Sequence, residues 1–163
     1  MDMSKAVAGP VEVFVDDVPV GHTQGPVTVE ITPRFREVPD ERAGATPVDY
    51  VLEGETVRVR LRLAEWTLAN LQRVYPSGLG GSSELTFGRA PGFKLSSEAK
   101  QLRLHPVCMG SVEDKDVVLW RAAAASVVRV EFGNEGDSVF EVEFVGLPDM
   151  TKPDGERLGK IGA

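Results

Sequence analysis

Few side chains in this sequence stand where they could do chemistry on their own. Its two histidines, His22 and His105, are not grouped with Cys, Asp or Glu at a ligand spacing such as His-x-x-x-His, so the pattern gives no metal site. His105 precedes Pro106 at what reads as a strand end, where a hydrogen-bonded structural imidazole is expected. Cys108 is the only cysteine, which excludes an intrachain disulfide, a Cys-rich zinc site and a Cys-x-x-Cys redox pair. It is expected to be a small buried apolar side chain. The Gly-rich segment 78–83 follows a helical pattern, precedes a strand and lacks the Gly-Lys-Ser/Thr ending of a phosphate cradle, so it reads as a helix stop and loop. Ser82 and Ser83 have no Gly-x-Ser-x-Gly elbow around them. The acidic pairs Asp16/Asp17 and Glu141/Glu143 could be imagined as acid and base, but nothing in the sequence supplies a perturbing neighbour. They read as solvated turn and strand faces.

One charged pattern stands out. Arg58, Arg60 and Arg62 alternate with Val57, Val59, Leu61 and Leu63, so three guanidinium groups share one strand face. Such a ladder could grip nucleic acid. Glu30, Glu131, Glu141 and Glu143 lie on other alternating runs and offer cross-strand partners in the same or a neighbouring subunit, which is the favoured reading.

The elements that position these residues are mostly strands. From Val27 to Phe35 the odd positions are Val27, Val29, Ile31, Pro33 and Phe35, with Thr28, Glu30, Thr32 and Arg34 between them. This run and residues 56–63 read as an antiparallel pair. Residues 37–55 connect them, rich in Pro, Gly and acid, with six carboxylates (Glu37, Asp40, Glu41, Asp49, Glu53, Glu55) against the single base Arg42. A connection of that length is far beyond the usual hairpin loop, so it reads as a long acidic loop. Residues 11–15 and 18–21 flank Asp16-Asp17 as a short hairpin. Leu63, Trp66, Leu68, Leu71 and Val74 predict one amphipathic helix over about 64–75. A short strand is expected at 84–87, further strands at 101–106 and 116–120, and a closing hairpin from 128–132 and 140–144 around the turn residues 133–138.

The predicted fold is therefore mainly β: an antiparallel β-sandwich or partly closed barrel with one flanking α-helix. Its parts are an N-terminal arm (1–10), a single domain (11–147) and a polar, Gly-rich C-terminal arm (148–163). The chain has 163 residues, one domain's length, with 17 Gly and 11 Pro. Its net charge of -7 disfavours a protein whose task is to hold phosphate backbones. No stretch approaches the roughly 20 apolar residues of a membrane span. The start, Met-Asp-Met-Ser-Lys-Ala-Val-Ala, lacks the charged and apolar regions of a secretory signal. A cytoplasmic protein is expected, unless it leaves in an assembled particle.

The order of three segments, Gly25-Pro26-Val27-Thr28-Val29-Glu30-Ile31-Thr32-Pro33, then Gly44-Ala45-Thr46-Pro47-Val48-Asp49 with Gly54-Glu55-Thr56-Val57, then residues 63–71, resembles major tail (tail tube) proteins of long-tailed, siphovirus-type bacteriophages. Leu102-Arg103-Leu104-His105-Pro106, Val118-Leu119-Trp120-Arg121-Ala122-Ala123 and Phe140-Glu141-Val142-Glu143-Phe144 before Leu147-Pro148-Asp149 extend the similarity over about residues 11–161. The resemblance implies a non-enzymatic, cofactor-free virion protein made in the bacterial host cytoplasm. Six copies would form a ring, and rings would stack into a tube through which DNA passes unbound. Tape-measure, tail terminator and tail-tip proteins would be its partners. The 37–55 segment would then be the inter-ring contact, and Glu30, Arg58, Arg60, Arg62, Glu131, Glu141 and Glu143 would be lumen-facing or cross-strand charges. Two alternatives stay open: a head-tail joining or terminator protein that makes one ring, and a ligand-binding β-barrel with a pocket lined by Trp66, Trp120 and Phe residues.

Overall fold

Alternating apolar residues on nearly every strand give the chain a sheet with one wet face and one dry face, and a dry face must be covered. The computed structural model describes residues 9–64, 67–76, 78–81, 83–133 and 139–163. Its strands are β1 (Val11–Val15), β2 (Val18–His22), β3 (Thr28–Pro39), β4 (Pro47–Leu63), β5 (Lys100–Pro106), β6 (Val117–Glu131), β7 (Val139–Leu147) and β8 (Gly159–Ile161), with one helix, α1 (Leu68–Val74). All eight strands belong to one antiparallel sheet in the order β2-β1-β5-β6-β7-β4-β3, and β8 pairs with β6. The fold is mainly β with one helix, as the alternation predicts.

The sheet covers its own dry face by curling. The amide of Ala64 donates to the His22 carbonyl (3.0 Å) and that of Gln24 donates to the Arg62 carbonyl (2.8 Å), so the end of β2 meets the end of β4. Only the single bridge between Thr23 and Leu63 joins them, and the sheet is not closed into a barrel. Thr23 is buried there, and its hydroxyl accepts the amide of Val11 (2.9 Å). The core is one cluster that includes Val13 and Val20 from the first hairpin, Val59, Leu61 and Leu63 from β4, Leu102 and Leu104 from β5, and Phe140, Val142 and Phe144 from β7. Each such side chain withdrawn from water stabilises the fold by roughly 1.5–3 kcal/mol before entropy is counted.

Local chemistry explains the boundaries. Asp16 and Asp17 both have positive φ (49° and 60°), the backbone that a two-residue hairpin turn requires and that Asp tolerates better than most residues. The helix begins later than the periodicity predicts, at Leu68, because the Thr67 hydroxyl accepts the Asn70 amide (3.2 Å) and caps it. Val74 is its buried anchor and Leu71 packs partly buried against the core. The runs at 116–120 and 128–132 are parts of one strand, β6, whose small buried residues Ala122, Ala123 and Ala124 carry the chain between them; the ladder with β7 shifts register between Ala124 and Val128.

Four further expectations are corrected. The expected strand at 84–87 is only a bridge between Leu79 and Thr86. Residues 148–163 are not an extended arm: β8 pairs with β6, the Trp120 indole N–H donates to the Glu156 carbonyl (2.7 Å), and the Lys152 ammonium lies 4.1 Å from the Trp120 ring centre. Cys108 is exposed, because it sits in a short turn after β5 and not on the sheet's dry face. The long loop at 37–55 is mostly strand, as described below. The N-terminal arm falls outside the described residues except for 9 and 10, as does most of the 133–138 turn.

Phe140 is fully buried at the centre of this core. Phe140→Ala should cost about 3–5 kcal/mol, read as a lower urea midpoint at unchanged slope.

Candidate assembly surface

β3 and β4 are much longer than their neighbours need. β4 pairs with β7 only over Arg58 to Leu63, and β3 is the edge strand, so the outer parts of both run on together as a two-stranded arm. Pairing continues from Thr32↔Thr56 to Pro39↔Pro47, and only residues 40–46 form the connection, with a 3-10 turn at Glu41–Ala43. Asp40 caps that turn, accepting the Arg42 amide (2.8 Å) and the Arg42 guanidinium (3.0 Å). These bonds lower the Asp40 pKa, the side-chain bond from Arg42 most.

The arm's faces are set by a β-bulge. Arg34 pairs with Gly54 but Phe35 pairs with Leu52, which leaves Glu53 as an extra residue in β4. One extra residue inverts the alternation beyond it. Val57 is an odd position of the core face, and after the bulge the even positions Leu52 and Tyr50 take over that same face, opposite Phe35 and Glu37. The core stripe thus runs past the body of the protein and out along the arm, where no described residue covers it. Ile31 (53% exposed), Phe35 (53%), Tyr50 (56%) and Leu52 (48%) stand in water. On the other face Glu53 meets Arg34 (3.2 Å) and Arg36 (3.9 Å).

The six carboxylates predicted for one loop are therefore distributed. Glu37 and Glu55 share the apolar face, opposite Tyr50 and Pro33; Asp49 lies opposite Val38 on the other face; Asp40, Glu41 and Arg42 form the tip; and Glu53 is the bulge. Arg34 and Arg36, outside the 37–55 window, are brought beside Glu53 by strand pairing, so the arm is less acidic than that window implies.

The arginine ladder lies on the wet face of the body. Arg60 faces Glu143 and Arg62 faces Glu141 across the β4–β7 ladder, while Glu30 faces Arg58 across β3–β4. The Glu143 carboxylate accepts from both Arg60 (2.6 Å) and Arg58 (3.1 Å). Arg62 lies 3.8 Å from Glu131, and Arg129 3.3 Å from Glu141. Four arginines and four glutamates (Glu30, Glu131, Glu141, Glu143) thus interleave over four strands, and the ladder itself carries no net charge. The hydrogen bond from Arg60 is the largest cause holding the Glu143 carboxyl below its ordinary 4.5; the charges of Arg60 and Arg58 add to it against partial burial. Both arginines are more than half exposed, so water screens these pairs and each is worth about 0–1 kcal/mol.

Among the described residues no group of three or more His, Cys, Asp or Glu could hold a metal ion, and no helix is long and apolar enough to cross a membrane. An open groove lies at the base of the arm, lined by Ile31, Leu52, Val57, Leu119, Leu147 and Ile161. Trp120 is not in it, being covered by residues 152 and 156, and Trp66 lies outside the described residues. Compared with known protein families and with curated proteins, the chain matches none.

The arm's apolar residues escape the sequence reading because Pro39, Gly44, Pro47 and Gly54 have loop character. The signal was present: Val48, Tyr50 and Leu52 alternate, one position out of phase with Val57, Val59 and Leu61, and such a phase jump marks a bulge.

Glu143→Gln should lower stability by no more than about 1 kcal/mol at neutral pH. A carboxylate with a depressed pKa stabilises above its ordinary value and loses that contribution as pH falls through the folded one. The difference between wild type and variant in urea titrations should therefore shrink below pH 4.5.

Proposed function

We propose that this chain is the repeating subunit of a bacteriophage tail tube: six copies close a ring, rings stack, and DNA passes through the bore. The observation that carries this reading is the uncovered arm. A two-stranded ribbon is marginal in water, and a long edge with an apolar face is a template for association. Residues Ile31, Phe35, Tyr50 and Leu52 gain cover when the arm lies on another copy. An arm that docks on a different surface of the next subunit makes a head-to-tail contact, the kind that generates rings and open stacks. The ordered resemblance of residues 11–161 to tail tube proteins points the same way.

The interleaved arginines and glutamates fit a conduit. DNA sticks to net positive surfaces through released counterions, and a face with its arginines paired offers little of that gain. In this reading the ladder face lines the bore, the arm tip with Asp40, Glu41 and Arg42 reaches the adjoining ring, and tape-measure, terminator and tail-tip proteins meet the tube at its interior and ends. The protein acts without catalysis or cofactor, in the virion tail, after synthesis in the host cytoplasm.

Negative-stain electron microscopy of concentrated protein should show tubes of fixed diameter. Discrete rings that never elongate would instead identify a terminator or joining protein, and a monomer at all concentrations would overturn both. Replacing Tyr50 and Leu52 by Ser removes two of the exposed apolar side chains of the arm and leaves the core cluster untouched. The double variant should leave the melting temperature of the body nearly unchanged and abolish tubes. In the double variant Glu141→Gln/Glu143→Gln the face becomes net positive, and assemblies should retain duplex DNA at low salt and release it as salt rises.

A further inference from the structure

One row across the sheet, away from the arm, is built of titratable groups. His22 on β2 faces Glu12 on β1, and Glu12 faces His105 on β5. Beyond His105 comes Asp116, just before β6, whose carbonyl accepts the amide of Gly162 (2.8 Å). Asp116 is among the few polar residues that are buried, with 3% of its side chain exposed, and His105 is 13% exposed.

Both nitrogens of His105 face acceptors. Nδ1 lies 2.6 Å from the Asp116 carboxylate, and Nε2 lies 2.8 Å from the carbonyl oxygen of Gly110. A backbone carbonyl can only accept, so Nε2 must carry a proton. An ionised carboxylate also only accepts, so Nδ1 must carry one too. Arg103, whose guanidinium stands 3.6 Å from the other Asp116 oxygen and 3.8 Å from Glu113, favours the ionised carboxylate. That second oxygen, Oδ2, is buried and has no hydrogen bond among the described residues, so the carboxylate depends on its two cationic neighbours.

We propose that His105 is an imidazolium that clamps the turn between β5 and β6, and that this turn is released when the imidazole gives up its proton to water. The neutral ring has one N–H. It stays with Asp116, because a hydrogen bond to a carboxylate is about twice as strong as one to a neutral carbonyl. The bare Nε2 then confronts the Gly110 oxygen, lone pair against lone pair, and the segment 107–115 loses its hydrogen bond to His105, while the longer Arg103–Glu113 ion pair remains. The charged groups facing His105 are Asp116 from the turn side, Glu12 from β1 and Arg103 on its own strand, with Glu113 reaching Arg103; Asp116 and Glu12 favour the cation and Arg103 opposes it. The His105 pKa is raised from its ordinary 6.5, first by the hydrogen bond to Asp116, against partial burial. A raised value means that the clamp's contribution is complete below pH 6.5 and is lost as pH rises through the folded value.

The test is heteronuclear NMR of the full chain between pH 5.5 and 9, independent of assembly. Both imidazole nitrogens of His105 should show imidazolium shifts at pH 6.5, with a titration midpoint above that value. Over the same range the protection factors of the Gly110 and Val112 amides, which bond to the carbonyls of Val107 and Met109, should fall several-fold. Asp116→Asn should lower the midpoint while keeping an acceptor at Nδ1. His105→Gln should leave the turn at its low protection at every pH. A ring already neutral at pH 6.5, or protection factors that do not change across the midpoint, would overturn the proposal, and the wild-type spectra alone decide it if the variants do not fold.

Discussion

A single sheet has two faces and only one of them can be wet. Among the described residues the apolar face of this sheet has no second sheet to pack on and just one short helix, so it bends onto itself. The bridge between Thr23 and Leu63 is where that bending is secured, and the side chains of Val13, Leu61, Leu102 and Phe140 fill the space it encloses. Gly146 on β7 makes room for the neighbouring β4 residue Val57: a Cβ there would collide with Val57 Cγ1. Everything within reach of the curl is buried. Whatever extends beyond it is not, and that is the origin of the arm.

The same constraint ties the arm to the body. The apolar stripe on the arm is the core stripe continued, and it stays on one face only because Glu53 adds a residue where the phase of the sequence changes. Were Glu53 paired regularly, with no bulge, the alternation of Val48, Tyr50 and Leu52 would oppose that of Val57 and Val59. An apolar face kept coherent for several residues past the core is the kind of surface that commonly marks an interaction site. The wet face is organised by the opposite rule, with each arginine of β4 set beside a glutamate of a neighbouring strand, which removes net charge without burying any.

The buried pair of His105 and Asp116 belongs to neither surface. It occupies the end of the sheet where the β5–β6 turn, the first hairpin and the C-terminal strand meet, and it replaces apolar packing with hydrogen bonds whose number depends on a proton. This is the one place in the described structure where a buried carboxylate and a histidine are held in direct contact, and it lies in a row of the sheet that the ladder does not share.

The sequence alone determined the class of fold, the antiparallel pairing of the run 27–35 with the run 56–63, the Asp16-Asp17 turn and the closing pair of strands, because each rests on a short-range alternation or a turn chemistry that neighbours in the chain express by themselves. It also listed the four glutamates of the ladder and three of its four arginines, missing Arg129. Tertiary structure decided the rest. Which glutamate each arginine meets follows from register between strands as much as 85 residues apart, and the long loop became an arm because paired backbone outweighs the loop character of its Pro and Gly residues. The contact of His105 with Asp116 was likewise invisible, since ten residues separate two side chains that only the β5–β6 register brings within 2.6 Å. Alternation is a local property of the chain, whereas register and cover are properties of the closed sheet.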